Sequence, residues 1–308
     1  MRIGVDLGGT KIEVAVLDEQ DRVVLRRRVD TPRHDYHAIC DAIAELVRYV
    51  ERTLGAQGTV GVGIPGAASP ATGLVKNANT VCLIGQPLEA DLATRLGRPI
   101  RLENDANCFV VSEAADGAAA GAHSVFGVIV GTGCGGGLVL GGAPIRGINA
   151  IAGEWGHNPV PWPRSAEGGR PCYCGRSDCI ETYLSGPGLT QTYNELGPAQ
   201  RANVKEIAAA AASGEAQALI VLDRHADQLA CALGTIINVF DPEVVVLGGG
   251  LSNLPDIAAR VQARLPPFVF GPTCDTRVVI ASHGDSSGVR GAAWLWGRDE
   301  TAGLPRSS

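Results

Sequence analysis

Apolar residues along the chain alternate between short β-branched runs and longer stretches with helical spacing. Runs at residues 2–5 and 12–17 flank a glycine-rich turn and predict a β-hairpin, and residues 22–30 predict a third, more polar strand. Tyr36–Leu54 carries apolar residues three or four positions apart, which predicts an amphipathic helix. A fourth strand is predicted at residues 59–64.

The hairpin pattern returns in the second third of the chain, where residues 125–130 and 137–140 flank another glycine-rich turn. Two hairpin-led halves, each followed by helices, indicate a duplicated α/β unit. Residues 149–179 have little periodicity and predict a long functional loop or small subdomain, and the tail after residue 297 is predicted to be disordered. The other predicted elements are helices at 88–96, 106–120, 186–196, 204–213, 216–238, 258–265 and 288–296, and strands at 100–102, 244–247 and 277–281.

The composition narrows the class of protein. A chain of 308 residues that is 45% hydrophobic suits two domains of ordinary size or one large one. A net charge of -6 argues against broad binding of nucleic acid. The sequence has neither a long apolar run nor the layout of a secretory signal, so we expect a cytoplasmic protein with no membrane partner. There the nine cysteines are expected to be reduced thiols or metal ligands.

The turn of the first hairpin is the first candidate binding element. Glycines let the backbone approach an anion, and successive N–H groups can cradle a phosphate. Asp6 could hold Mg²⁺ through water, and Thr10 or Lys11 could bond a phosphate oxygen. A hairpin turn whose glycines serve geometry alone is the alternative. The residues predicted to bind nucleotide here are Gly4, Asp6, Gly8, Gly9, Thr10 and Lys11.

The second hairpin has a matching glycine-rich turn. It does not lead into a helix as a dinucleotide fingerprint should, but two matched turns predict one nucleotide in a cleft between related domains. A third glycine run follows the strand at 244–247, where a base or ribose could lie against the backbone, although taken alone this run is better explained as a packing turn. The predicted nucleotide-binding residues of these segments are Gly131, Thr132, Gly133, Gly135, Gly136, Gly248, Gly249 and Gly250.

Asn104 and Asp105 stand where a predicted strand ends and a helix begins. Asp105 could be only the N-cap of that helix, which is the usual role of an aspartate there. In a kinase it would instead accept the proton of the attacking hydroxyl. Both interpretations remain open from the residues alone.

A cluster of one histidine and three cysteines is the most specific local pattern. Its members are His157, Cys172, Cys174 and Cys179. This set suits tetrahedral zinc, and four protein ligands leave no open position, which predicts a structural metal rather than a zinc hydrolase. Unrelated thiols near a histidine are the alternative. Glu154 and Glu181 flank the cluster and could bind sugar hydroxyls, His225 is interpreted as a surface residue, and no role is assigned to His283.

These residues resemble the ROK family (repressors, open reading frames, kinases). The matching segments are DLGGTK at 6–11, GIPG at 63–66, ENDAN at 103–107, GTGCGGG at 131–137, GEWGH at 153–157, CYCGRSDCIE at 172–181 and LGGG at 247–250. No DNA-binding helix-turn-helix precedes Met1, so the chain resembles the kinase branch. Within it, the segments that most resemble bacterial fructokinase, or manno(fructo)kinase, are 76–79, 116–121, 156–162 and 283–296. Asp178 departs from the family, which usually has Gly there.

The resemblance implies an α/β protein with the actin-like ATPase (ribonuclease H-like) fold, in which duplicated domains hold ATP and sugar in an interdomain cleft. We expect a small domain at residues 1–105, on which the C-terminal helix 288–297 packs back. The large domain is expected at residues 106–287 and contains a zinc-binding loop at 153–181.

The resemblance also implies roles for single residues. It assigns the catalytic base to Asp105. It gives substrate contacts to Gly66, Asn79, Asn104, Asp105, Glu154, His157 and Glu181, with His157 serving zinc and sugar. The implied activity is that of an ATP-dependent hexose kinase with Mg²⁺ and structural Zn²⁺ that acts on D-fructose, or on mannose or glucose. The alternatives are an N-acetyl-D-glucosamine kinase and a non-catalytic sugar-sensing regulator, and a homodimer is a further expectation.

Overall fold

The structure is a computed structural model that describes residues 1–163, 169–297 and 300. The chain divides into two compact units. The first comprises residues 1–116, 142–152 and the chain from 285 onward, and the second comprises residues 117–141 and 153–284. No helix among the described residues has the length and apolar character needed to cross a bilayer. The predicted disorder after residue 297 falls outside the described residues, apart from Glu300.

The secondary structure follows the predicted alternation of strands and helices. The strands are β1 (Arg2–Leu7), β2 (Lys11–Leu17), β3 (Val23–Asp30), β4 (Thr59–Ile64), β5 (Ala67–Ala68), β6 (Val75–Lys76), β7 (Ile100–Asn104), β8 (Ser124–Val130), β9 (Cys134–Leu140), β10 (Ala143–Pro144), β11 (Val244–Gly248) and β12 (Arg277–Ile280). The helices are α1 (Tyr36–Leu54), α2 (Leu88–Leu96), α3 (Asp105–Ala115), α4 (Glu181–Leu184), α5 (Gly186–Leu196), α6 (Val204–Ala212), α7 (Ala216–Phe240), α8 (Ile257–Gln262) and α9 (Ser287–Trp294). Short 3-10 helices include Trp155–His157 and Gly250–Asn253.

The first unit is built on a sheet with strand order β3-β2-β1-β4-β7. β1 and β2 form the predicted hairpin, in which Leu7 pairs with Ile12, and β4 and β7 add in parallel. Helix α1 has the predicted bounds; Asp35 caps its start and Gly55, with a φ of 63°, ends it. Its apolar stripe, which includes Ile39 and Ile43, is fully buried. The helical spacing of the sequence therefore places α1 in the core of this unit.

Helix α9 packs closely on the sheet because glycines face it. A Cβ on Gly4 of β1 would overlap the Val289 carbonyl oxygen, and one on Gly61 of β4 would overlap the Ala292 carbonyl oxygen. Gly291 lies against the backbone of Cys108 in α3 in the same way. Since α3 and α9 pack together, α3 falls in the first unit, beyond the predicted boundary at residue 105. Gly4, predicted to bind nucleotide, thus lies where packing already requires glycine.

The second unit repeats the strand arrangement of the first. β8 and β9 form an antiparallel hairpin, and β11 and β12 add in parallel, so that the order β9-β8-β11-β12 matches β2-β1-β4-β7. Phe126 of β8 meets Trp155 edge to face, with ring centroids 5.9 Å apart. Helix α7 supplies much of the core, and its His225 is only 2% exposed. The interpretation of His225 as a surface residue is wrong, because the apolar stripe of α7 carries it inside.

The largest differences between the predicted and observed boundaries are in α3, β9 and α8. Helix α3 ends at Ala115 rather than 120, since residues 117–122 form turns that end in Gly121 with a φ of 85°. Strand β9 begins at Cys134 rather than 137, because its glycines pair in register with β8 despite their low strand propensity. Helix α8 ends at Gln262, and a 3-10 helix follows at Pro266–Phe268.

Candidate active site

The turn between β1 and β2 presents exposed backbone. The N–H of Gly8 donates to the Lys11 carbonyl oxygen at 3.0 Å, and the Thr31 hydroxyl donates to the Gly8 carbonyl oxygen at 2.8 Å. Gly9, Thr10 and Lys11 are exposed, and a Cβ on Gly9 would meet no atom within 4 Å. Two hydrogen bonds therefore fasten the base of the turn at Gly8, while residues 9–11 at its tip are exposed.

Asp6 precedes this turn and carries a perturbed carboxyl group. Burial, and then the negative charge of Asp105, raise its pKa to about 6, although the Arg28 guanidinium lowers it. The two carboxylates are thus close enough to repel each other. A divalent cation beside them would relieve that repulsion, and oxygen ligands are what Mg²⁺ prefers.

Asn104, rather than Asp105, is the N-cap of α3. The Asn104 Oδ1 accepts hydrogen bonds from the N–H groups of Ala106 at 2.9 Å and Asn107 at 3.3 Å. Asp105 is the first residue of the helix and is exposed, and its Oδ1 accepts the Ala106 N–H at 2.8 Å. The capping alternative for Asp105 is therefore wrong, because the preceding residue already fills that role.

Gly66 and Asn79, both predicted to contact the substrate, differ in their surroundings. The Asn104 Nδ2 donates to the Gly66 carbonyl oxygen at 3.0 Å, so the structure brings these two residues together. Gly66 has a φ of 101°, and its Cβ position is occupied by the backbone of Lys76 and Ala78. Asn79 is exposed in the loop that follows β6.

Glu103 is a buried carboxylate that the sequence analysis did not single out. Its Oε1 accepts hydrogen bonds from the Asn104 N–H at 2.8 Å and the Asn107 Nδ2 at 3.0 Å. Its Oε2 accepts the Arg146 Nε at 2.5 Å. Glu103 therefore fixes the strand end that presents Asn104 and Asp105. Glu103 is part of the family-like segment 103–107, but the sequence alone does not show whether an acidic residue in a strand is buried or exposed.

In the second unit, the turn between β8 and β9 lies beside the start of α5. The Gly131 N–H donates to the Gly133 carbonyl oxygen at 2.9 Å, and the Gly186 N–H donates to the Gly131 carbonyl oxygen at 2.7 Å. The Ser185 side chain caps α5 by accepting the Gly188 N–H. A helix N-terminus carries partial positive charge, so this corner of the unit favours an anion.

A cavity of about 1180 Å³ opens from this turn. It is bounded by α5, α6, the turn at residues 131–132 and the 3-10 helix Gly250–Asn253. Polar side chains on its wall are Gln191, Asn194, Glu195, Asn203 and Lys205. The sequence analysis missed these helix residues, because polar positions on a helix resemble an ordinary solvent face.

The predicted glycines of this unit differ in what surrounds them. Those that line the cavity are Gly131 and Gly250, together with Thr132. Those explained by packing are Gly136, whose Cβ would meet the Trp155 ring, and Gly249, which has a φ of 81° and lies on the backbone of Val130. Gly135 accepts the Trp155 indole N–H at 2.9 Å, and Gly248 ends β11. A Cβ on Gly133 would lie 2.6 Å from a carboxylate oxygen of Glu181.

The predicted zinc ligands are brought together. Each of His157, Cys172, Cys174 and Cys179 offers one ligand atom, and these four atoms all lie within 4.8 Å of one another. The His157 Nδ1 is 3.5 Å from the Cys172 Sγ, and the sulfurs of Cys174 and Cys179 are also 3.5 Å apart. Tetrahedral zinc with bonds of about 2.1–2.3 Å places its ligands about 3.5–3.8 Å apart. The donor set and its spacing therefore fit zinc.

The thiols of the cluster are held in unlike environments. A hydrogen bond from the Arg176 backbone N–H lowers the pKa of Cys174 to about 6, whereas burial raises the pKa of Cys179 to about 12. The Tyr173 hydroxyl lies 2.9 Å from the His157 Nε2, so it orients the imidazole with Nδ1 toward the sulfurs. Tyr173 was missed by the sequence analysis, although it stands between two of the cysteines.

The two acids that flank the cluster have different surroundings. The Glu181 Oε2 accepts the Cys134 N–H at 2.8 Å, which ties the start of α4 to the glycine-rich turn. Glu154 is exposed just before the 3-10 helix Trp155–His157. The second unit thus carries a candidate zinc-binding cluster, a glycine-rich turn beside a helix N-terminus and a large cavity in one compact body.

Comparison with known proteins gives the family. The model of the ROK family matches residues 2–299. The N-acetyl-D-glucosamine kinase of Escherichia coli O1:K1 / APEC is 43% identical over 300 residues, which cover 96% of this chain and 99% of that protein. Among solved structures, a ROK hexokinase from Thermus thermophilus superposes with a TM-score of 0.83 at 32% identity, over 96% of this chain and 97% of that one.

A ROK family glucokinase from Streptomyces griseus, solved in complex with glucose and AMPPNP, superposes with a TM-score of 0.75 at 29% identity. The match covers 96% of this chain and 98% of that one. These structures and the two sheets confirm the predicted α/β actin-like ATPase fold. The chain therefore belongs to the ROK family, and the three relatives described here are sugar kinases.

Proposed function

We propose that this chain is an ATP-dependent kinase that phosphorylates N-acetyl-D-glucosamine. The observation that carries the proposal is the 43% identity to an N-acetyl-D-glucosamine kinase along almost the whole of both chains. This relative supports the alternative named from the sequence better than the D-fructose acceptor that the resemblance to fructokinases implied. Hexose phosphorylation in general is supported by the hexokinase and glucokinase relatives.

The nucleotide is assigned to the second unit. The turn at residues 131–133 lies against the N-terminus of α5, whose positive dipole end favours phosphate oxygens. The adjoining cavity of about 1180 Å³ has ample room for an adenosine group. These features support ATP as the phosphoryl donor.

The proton acceptor is assigned to the first unit. Asp105 is exposed at the end of β7, where Asn104 and Glu103 fix the backbone. Its carboxylate accepts the proton of the sugar hydroxyl while the hydroxyl oxygen bonds to the γ-phosphorus and the bond to ADP breaks. Mg²⁺, when bound, supplies neutralisation of the phosphate charge, and Asp6 would hold it through water.

Zinc is assigned a structural role in the second unit. His157 and the three cysteines would occupy all four positions of a tetrahedral ion, so the metal does not touch the reacting atoms. Among the predicted sugar contacts, the first unit supplies Gly66, Asn79 and Asn104, and the second supplies Glu154, His157 and Glu181. These contacts stay predictions, and Tyr173 joins them because its hydroxyl meets His157.

A coupled assay of ADP release over a panel of sugars tests the proposal. N-acetyl-D-glucosamine should give the highest kcat/KM, and fructose, mannose and glucose should give lower values. Sites built to hydrogen-bond a substrate group discriminate strongly against analogues that lack it. Faster turnover of fructose would restore the fructokinase interpretation, and no ADP release with any sugar would contradict the proposal.

A further inference from the structure

Arg170 joins two parts of the second unit that the proposed function treats separately. Its guanidinium is largely buried, with 11% of the side chain exposed. Nη1 donates to the carbonyl oxygens of Thr182 at 2.9 Å and Gly188 at 3.1 Å. Nη2 donates to the Thr192 hydroxyl at 3.0 Å and to a carboxylate oxygen of Glu195 at 2.6 Å. The side chain is thus fastened to α4 and α5 by four hydrogen bonds.

The backbone of Arg170 is fastened to the cysteine loop. The Arg170 N–H donates to the Asp178 Oδ1 at 2.9 Å, and the Asp178 N–H donates to the Arg170 carbonyl oxygen at 2.8 Å. Asp178 immediately precedes the predicted ligand Cys179 and has a φ of 56°. The Tyr183 hydroxyl also donates to the Asp178 Oδ1, at 2.7 Å. The centroid of the Tyr183 ring lies 4.2 Å from the Arg170 Cζ.

Asp178 explains why the departure from the family's usual glycine is tolerated. Aspartate adopts the left-handed region more readily than most residues, because its short side chain can hydrogen-bond locally. Here the carboxylate is buried and accepts the Arg170 N–H and the Tyr183 hydroxyl, which a glycine could not do. This chain therefore has a side-chain link between the cysteine loop and Arg170, which a glycine at 178 could not make.

The other end of the link is the wall of the cavity. Glu195, which accepts the Arg170 guanidinium, lines the cavity and also accepts the Gln191 Nε2 at 2.7 Å. Gln191 lines the cavity as well. The positions of these two side chains on α5 therefore depend on where the cysteine loop holds Arg170.

We propose that Arg170 is a positioning residue that couples zinc binding by the cysteine loop to nucleotide binding in the cavity. The inference rests on the proposed function, which places the nucleotide there. Zinc fixes the loop, the loop fixes Arg170, and Arg170 fixes Glu195 and Gln191 for the nucleotide. A coupling between two binding sites is reciprocal, so the nucleotide strengthens zinc binding by the factor by which zinc strengthens nucleotide binding.

The test measures the Kd of AMP-PNP by calorimetry for zinc-loaded and zinc-stripped protein. In the wild type, stripping should raise this Kd about 10-fold, within the usual range of coupled sites. Arg170→Lys keeps a positive charge but loses the planar fork that makes four bonds. It should retain zinc and bring the ratio of the two Kd values to about 2 or less. Arg264→Lys is the control, since Arg264 pairs with Asp223 elsewhere in this unit, and it should keep the wild-type ratio.

A second measurement applies where stripped protein unfolds. The zinc affinity of each variant is measured by competition with a chromophoric chelator, with and without AMP-PNP, and the nucleotide should raise it in the wild type but not in Arg170→Lys. Tight AMP-PNP binding with no effect of zinc in either direction overturns the coupling and leaves the proposed function intact. If Arg170→Lys keeps the wild-type ratio of the AMP-PNP Kd values of stripped and loaded protein, Arg170 does not couple the two sites. Zinc-loaded wild type that binds no AMP-PNP overturns the proposed function and the coupling together.

Discussion

The hairpin turns of the two units differ in chemistry although their strands are arranged alike. In the first unit, Asp6 and Lys11 bracket an open turn with charges, and the nearby Asp105 raises the pKa of Asp6. In the second unit, the turn at residues 131–133 carries no charge and lies against the N-terminus of α5. The same topology thus presents carboxylates in one unit and an uncharged turn beside a helix N-terminus in the other.

This difference teaches that the strand pattern sets where a turn lies, whereas the residues and helices around the turn set what it can bind. In the first unit, Asp105 lies near the turn at the end of β7, where Glu103 fixes the backbone. The second unit surrounds its turn with α5, the cavity and the cysteine loop. The proposal accordingly assigns proton transfer to the first unit and nucleotide phosphate to the second.

The largest expected effect is on turnover, from Asp105→Asn. Asparagine keeps the shape but cannot take the hydroxyl proton, so kcat should fall by about 10²–10⁴. The helix should not suffer, because the cap is Asn104. Steady-state ADP release measures the change. Asp35→Asn, which replaces the cap of α1 with an equally good one, is the control and should leave kcat unchanged. A kcat for Asp105→Asn within a few-fold of wild type would refute the role.

The next effect concerns the predicted zinc, whose candidate ligands lie in the second unit. Cys174→Ser removes one thiolate and should lower zinc affinity by more than about 100-fold, since loss of groups that only support a ligand already costs about 10–100-fold. Elemental analysis after dialysis measures the zinc that remains. Cys274→Ser, outside the cluster, should keep one zinc per chain. Full activity of wild-type protein after a chelator has removed its zinc would contradict the structural role proposed for the metal.

The smallest expected effect is on acid stability. His225 is buried, and burial followed by the charge of Arg260 lowers its pKa to about 4 from the ordinary 6.5. As pH falls below about 6.5, His225 becomes protonated in the unfolded state, whereas in the folded state it stays neutral until about pH 4. The free energy of unfolding therefore decreases over that interval. Between pH 7.5 and pH 5.5 the loss should be about 1 kcal/mol of unfolding free energy.

Denaturant titrations of wild type and His225→Leu at the two pH values measure this loss. The variant should lose less stability on acidification, whereas His123→Leu, at an exposed histidine of the same unit, should behave as wild type. An equal pH dependence in wild type and His225→Leu would show that another group controls acid unfolding.

Much of the fold was predictable because its periodic patterns are strong. The hairpins, α1 and the duplicated order of strands follow from apolar spacing that tertiary packing reinforces. The convergence of His157, Cys172, Cys174 and Cys179 was also predictable, because three cysteines and a histidine at close spacing are typical of a zinc site. These features depend on residue types whose chemistry is nearly independent of context.

The remainder depends on what each residue faces. Sequence does not separate Gly4, which α9 covers, from Gly131, which lines a cavity. It could not assign the cap to Asn104 rather than Asp105, since both residue types cap helices equally well. His225 was misplaced because its neighbours in α7 decide its burial. The cavity itself arises only when α5 and α6 pack together.

The division of roles between the two units is tested most directly by the Kd of AMP-PNP for Asp105→Asn and Gly133→Val. A valine at 133 would meet the Glu181 carboxylate and crowd the turn. The proposal gives Asp105 a role in proton transfer and none in nucleotide binding. We expect the Kd of Asp105→Asn to stay within about 2-fold of wild type and that of Gly133→Val to rise at least about 10-fold, with both variants folded. Unchanged AMP-PNP affinity in a folded Gly133→Val, or an equal loss in both variants, would contradict the account.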